Sequence, residues 1–144
     1  MPLPVVRWAH VSLDPDQRLA LLAAAESATI ARIERLHRSA DRDSTLVAHA
    51  LARVVAARVL GCLPNDVATS RHCPECGSTE HGRPGARGPD GARTTMSISH
   101  TSALAAAIAG ASVGVGIDVE AGHPGADWRL PAVFTNAEAT AIDG

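Results

Sequence analysis

Asp118 and Glu120 stand two residues apart in the run Gly114-Val115-Gly116-Ile117-Asp118-Val119-Glu120. In a strand, residues two apart project to one face, so both carboxylates converge while Ile117 and Val119 turn toward a core. Two adjacent carboxylates suit a hard cation. Magnesium fits, since it takes one or two carboxylates, keeps several waters and completes its shell with substrate phosphate oxygens. A solvated strand end carrying two acids gives the same pattern. Ser99-His100-Thr101 follows a strand-like run, where an imidazole and two hydroxyls can all donate to one anion. A surface histidine between hydroxyls is the plain alternative.

A second set of ligand-type residues is Cys73-Pro74-Glu75-Cys76 followed by His81, three ligands at the spacing of a zinc knuckle. The fourth knuckle position is Ala86, so His72 or another histidine would have to complete the shell of a structural Zn2+. Reduced thiols at a loop turn are the competing reading. Three cysteines in a chain with no secretion signal argue against a disulfide framework. Cys62, just after Gly61, reads as a small apolar filler.

The surrounding chain must position these groups. Its 144 residues, 46% apolar and 19% charged, belong to a globular protein, and a formal charge of −2 leaves no electrostatic footprint for nucleic acid. No apolar stretch is long enough to span a bilayer, and Met1-Pro2-Leu3-Pro4 lacks a basic region leading into an apolar one, so a cytoplasmic protein without a membrane partner is expected. Trp8, Trp128 and Phe134 are the whole aromatic complement, which forces a thin core of Ala, Val, Leu and Ile.

Asp14-Pro15-Asp16 predicts a helix start, running to about residue 25. Residues 27–36 predict a second helix, and Asp41 or Asp43 opens a third that stops at Gly61. In the third, Leu46, Ala50, Leu51, Val54, Val55 and Val59 form the apolar stripe, with His49 and Arg53 on the more polar side. Residues 73–93, dense in Gly, Pro and charge, predict an irregular surface loop. Thr95 to Ser99 and Val113 to Val119 predict strands. Between them, residues 102–109 are helical by propensity and strand-like by context. Thr135-Asn136-Ala137-Glu138 has capping-box spacing and opens a further helix.

Taken together, Ser99-His100-Thr101 and Gly116-Ile117-Asp118-Val119-Glu120 resemble the Ser-His-Ser and Gly-Ile-Asp-Ile-Glu signatures of Sfp-type 4′-phosphopantetheinyl transferases. Gly82-Arg83-Pro84 looks like that family's Gly-Lys-Pro turn, and Phe134-Thr135-Asn136-Ala137-Glu138 is similar to its Phe-Ser-x-x-Glu segment. The basic stretch 32–42 resembles the region whose side chains approach the 3′-phosphate of coenzyme A, with Arg35 and Arg42 at the matching positions.

The resemblance implies an α+β fold of two similar halves, each a small antiparallel sheet packed by a long helix. Residues 1–112 would be the first half and 113–144 the start of the second. It implies transfer of 4′-phosphopantetheine from coenzyme A to a serine of an acyl or peptidyl carrier protein. Asp118 and Glu120 would be the catalytic Mg2+ ligands, and Arg35, Arg42, Arg83, Pro84, Ser99, His100 and Thr101 would bind coenzyme A. The family's downstream Trp-x-x-Lys-Glu-Ala segment has no counterpart before Gly144, so a transferase front part is expected. Two other classes fit the residues: a non-catalytic coenzyme A- or carrier-binding fragment, and a zinc-knuckle interaction protein.

Overall fold

The computed structural model describes residues 3–111 and 114–122. The expected boundary at 112–113 and the capping box at Thr135–Glu138 lie outside the described residues. Chain order is β1 (Val5–His10), α1 (Pro15–Ala24), α2 (Ser27–Glu34), α3 (Ser39–Leu60), a single 3-10 turn (Pro64–Asp66), β2 (Ala68–His72), β3 (Arg83–Arg87), β4 (Arg93–His100) and β5 (Leu104–Gly110). The strands form one antiparallel sheet in the order β1-β5-β4-β3-β2, and α3 packs against β5, β4 and β1. The architecture is α+β. Among the described residues no helix is long and apolar enough to cross a membrane.

Local chemistry explains the helix ends. Asp14 accepts the Gln17 N–H at 2.8 Å, the Gln17 side chain accepts the Asp14 N–H at 3.1 Å, and Pro15 takes the first helical position of α1. Gly61 ends α3 with φ +70°, a conformation that costs glycine nothing. At its other end α3 starts at Ser39, ahead of both expected aspartates, with Arg38 at the N-cap and no side-chain capping bond. Asp43 instead takes a bidentate contact from Arg18 at 2.8 and 2.6 Å, joining α1 to α3, and the guanidinium holds its carboxyl below the usual range.

The core is built from small side chains. Ala52, Val55 and Ala56 of α3 meet Ala107, Ala109, Met96 and Ala86 of the sheet, while Val47 and Ala48 meet Ala105. Alanine on both surfaces lets helix and sheet approach closely. This settles the ambiguous segment: β5 is hydrogen-bonded on both sides, by β1 and β4, which outweighs alanine's helical propensity. It also corrects the predicted stripe of α3. Leu46 and Val55 are buried as expected, but Val54 is 43% exposed, and Ser44, Ala48 and Ala52 take the sheet-facing surface instead.

Two further expectations change. The stretch 73–93 is not irregular throughout, because Arg83–Arg87 forms β3, paired to β2 along its length and to β4 only from Gly85. Pro84, which has no N–H, therefore sits where the β4 ladder has not begun. Residues 114–122 join no ladder; they are fastened to β4 through hydroxyls, with Ser97 Oγ accepting the Ile117 N–H at 3.2 Å and Ser99 Oγ the Val119 N–H at 3.1 Å. The alternation foreseen there is kept, with Ile117 and Val119 half-buried and Asp118 and Glu120 exposed.

Candidate functional site

A cavity of about 460 Å³ opens between α2, α3 and the β2–β3–β4 part of the sheet. Thr29 and Ile33 bury the inner side of α2, which leaves Arg32 and Arg35 to line the cavity mouth. Alternation along β2 gives the half-buried positions to Thr69 and Arg71. His49 of α3, Arg71 and Pro84 complete the polar wall over Met96 and Ile98. Glu26, just before α2, accepts the Thr69 N–H at 2.9 Å and also the Thr69 hydroxyl, which fixes α2 against β2.

Arg32, Arg35 and Arg71 outnumber the carboxylate of Glu80 in the cavity lining, so its charge is net positive. Burial pushes His49 down to about 4, and the positive charges of Arg32 and Arg71 add to that shift. Its Nδ1 lies 3.2 Å from Thr29 Oγ1. His100, at the end of β4, is also lowered by burial and by Arg32, against the opposing pull of Asp41. Its Nδ1 lies 3.1 Å from Ser44 Oγ, so the ring presents Nε2 to any further partner. Burial and Arg32 likewise lower Arg71. Guanidinium groups and neutral imidazoles crowded in this way would all be relieved by one multiply charged oxyanion.

The carboxylates lie elsewhere. Ser99 Oγ donates to Asp118 Oδ1 at 2.8 Å, orienting a carboxylate that is otherwise exposed, and Glu120 is exposed on the same side of its segment. Both carboxylates are accessible to solvent, and one of them is held by a hydroxyl. Ser99 and His100 are consecutive in β4 and so face opposite sides of the sheet. The basic cavity and the acidic pair therefore approach each other only around the end of that strand.

The remaining expected ligands divide. Arg35 and Pro84 line the cavity. Arg42 Nε donates to the Leu36 carbonyl at 2.8 Å and closes the turn between α2 and α3. Arg83 is exposed in a separate surface groove with Arg87 and Arg93. Thr101 Oγ1 accepts the N–H groups of Ala103 and Leu104 at 3.3 and 3.1 Å, shaping the β4–β5 turn. Sequence reasoning missed Arg32, His49 and Arg71 as site residues. Arg32 stood inside the basic stretch already singled out, whereas Thr69-Ser70-Arg71-His72 is polar throughout and carries no alternation that would have marked Arg71.

At the far end of β2, one ligand atom from each of Cys73, Cys76 and His81 lies within 4.8 Å of the others, a group that could bind a metal ion. Cys76 Sγ is 3.4 Å from His81 Nε2. The turn is closed by Gly77 N–H to Cys73 O and Cys73 N–H to Ser78 O, both 2.9 Å. Backbone N–H groups of Cys76 and Glu75 bond to the Cys73 sulfur and push its thiol down. His72, the suggested fourth ligand, is exposed and outside the group. No family model matches the chain, and no curated protein matches it.

Proposed function

We propose that this chain binds coenzyme A and serves the transfer of its 4′-phosphopantetheine group to a serine of an acyl or peptidyl carrier protein, within an Sfp-type transferase fold. The observation that carries the reading is the cavity walled by Arg32, Arg35, Arg71 and His49. Coenzyme A brings a 3′-phosphate and a pyrophosphate, the chemistry such a cavity takes. The arginines would bond the phosphate oxygens, and His49 and His100 would regain protons against the incoming charge. These groups locate the nucleotide and leave the chemistry to others. Asp118 and Glu120 would hold Mg2+, which supplies charge neutralisation at the pyrophosphate. The attacking hydroxyl comes from the carrier, and adenosine 3′,5′-bisphosphate leaves.

A second reading, a coenzyme A-binding module without turnover, draws support from the placement of the carboxylates and the cavity on opposite sheet faces. One experiment separates the two. The chain is mixed with coenzyme A, magnesium and an apo carrier protein, with binding followed by calorimetry and the carrier by mass spectrometry. Carrier that gains one phosphopantetheine, and ceases to gain it with Asp118→Ala, supports transfer. Binding with an unmodified carrier supports the module. Absence of binding refutes both.

A further inference from the structure

We propose that Cys73, Cys76 and His81 hold a structural zinc ion that fixes the loop between β2 and β3, and with it one rim of the basic cavity. Two thiolates and an imidazole select a borderline or soft cation and exclude magnesium and calcium. The spacing fits. Tetrahedral zinc with bonds of about 2.3 Å to sulfur and about 2.0 Å to nitrogen requires sulfur–nitrogen separations of about 3.5 Å. Cys76 Sγ and His81 Nε2 are 3.4 Å apart, and the whole set falls within 4.8 Å.

The loop also needs such a staple. From Cys73 to Gly82 it reads CPECGSTEHG, with no large apolar side chain to anchor it to the core. Its path is nevertheless specific: Gly82 has φ +100°, and a Cβ there would stand 2.3 Å from the His72 carbonyl oxygen. That close approach brings His81 back over the Cys73–Cys76 turn. Among the described residues no fourth side chain joins the group, which leaves one position of the tetrahedron open to a further ligand. Thr79 and Glu80, inside the clamped segment, line the basic cavity. The metal thus sets the position of that rim, whatever anion the cavity takes.

The test uses the full chain, reduced and metal-free, titrated with Co2+ and then with Zn2+. A thiolate-to-cobalt charge-transfer band, with visible bands of tetrahedral intensity, should appear at one metal per chain and vanish as zinc displaces cobalt. Cys76→Ser should weaken metal binding by about a hundredfold or more. His81→Cys should keep the metal and raise the charge-transfer intensity by about half, as thiolates rise from two to three. Zinc should also slow amide exchange within residues 73–82. The proposal is overturned if the wild-type chain, folded by circular dichroism, shows no charge-transfer band or binds no more tightly than Cys76→Ser. Isolation as a metal-free Cys73–Cys76 disulfide that gains no metal on reduction overturns it equally.

Discussion

Acidification should destabilise this protein well before its carboxylates titrate, and His49 is the reason. Its imidazole is held near 4 in the folded chain against an ordinary 6.5, chiefly by burial and then by Arg32 and Arg71. A histidine with a depressed folded value contributes stability that is complete above 6.5 and is lost as pH falls toward 4, because the unfolded chain takes the proton first. Between pH 7 and 5 the loss is about 2 kcal/mol, and it approaches about 3 kcal/mol below 4. With a urea dependence of roughly 1–2 kcal/mol per molar for a chain of this size, the unfolding midpoint should fall by roughly 1–2 M. Asp43, also lowered in the folded state, acts only below its own ordinary value of 3.8 and stays out of this window. His100 shifts in the same direction as His49 and leaves a smaller residual slope. His49→Gln keeps a hydrogen-bonding group toward Thr29 but cannot titrate, so most of the slope should go. Parallel midpoint-versus-pH curves for wild type and His49→Gln would show that His49 does not set this dependence, as would a ring-proton titration of His49 near 6.5.

Three other outcomes follow from packing and backbone geometry. Val55, fully buried between α3 and the sheet, should cost about 2 kcal/mol on truncation to Ala in urea unfolding, from two lost methyl groups and the space they leave. Gly82→Ala forces both a positive φ and the approach to His72, so metal binding should weaken while the circular dichroism of the helices is kept; unchanged cobalt affinity would count against the proposed geometry. Glu26→Gln removes charge from its bonds to Thr69 and should cost about 1–2 kcal/mol, with faster exchange at the Thr69 amide as the local readout.

Features with local chemistry were legible in the sequence, and those set by packing between distant segments were not. Asp14, Pro15 and Gly61 announced their helix ends because capping depends only on neighbours. The alternation from Val115 to Glu120 was readable, but the absence of a ladder was not, since Ser97 and Ser99 take its N–H groups from another strand. Alanine carries little sign of its environment, so Ala105, Ala107 and Ala109 stayed ambiguous between helix and strand until both neighbouring strands were present. Arg71 escaped notice for a related reason. Its side of the sheet is defined by β3, hidden in a Gly- and Pro-rich stretch, and its importance comes from Arg32 and His49 on separate helices. The Cys73, Cys76 and His81 set was visible by spacing alone, because a tight turn brings close residues together.

Whether the basic cavity takes coenzyme A is decided by calorimetric titration of coenzyme A into the wild-type chain and into Arg32→Ala/Arg71→Ala. One site per chain is predicted, at least about tenfold weaker in the double variant and weaker as salt is raised. Absence of binding, or equal affinity in the two proteins, would rule out the cavity as the coenzyme A site.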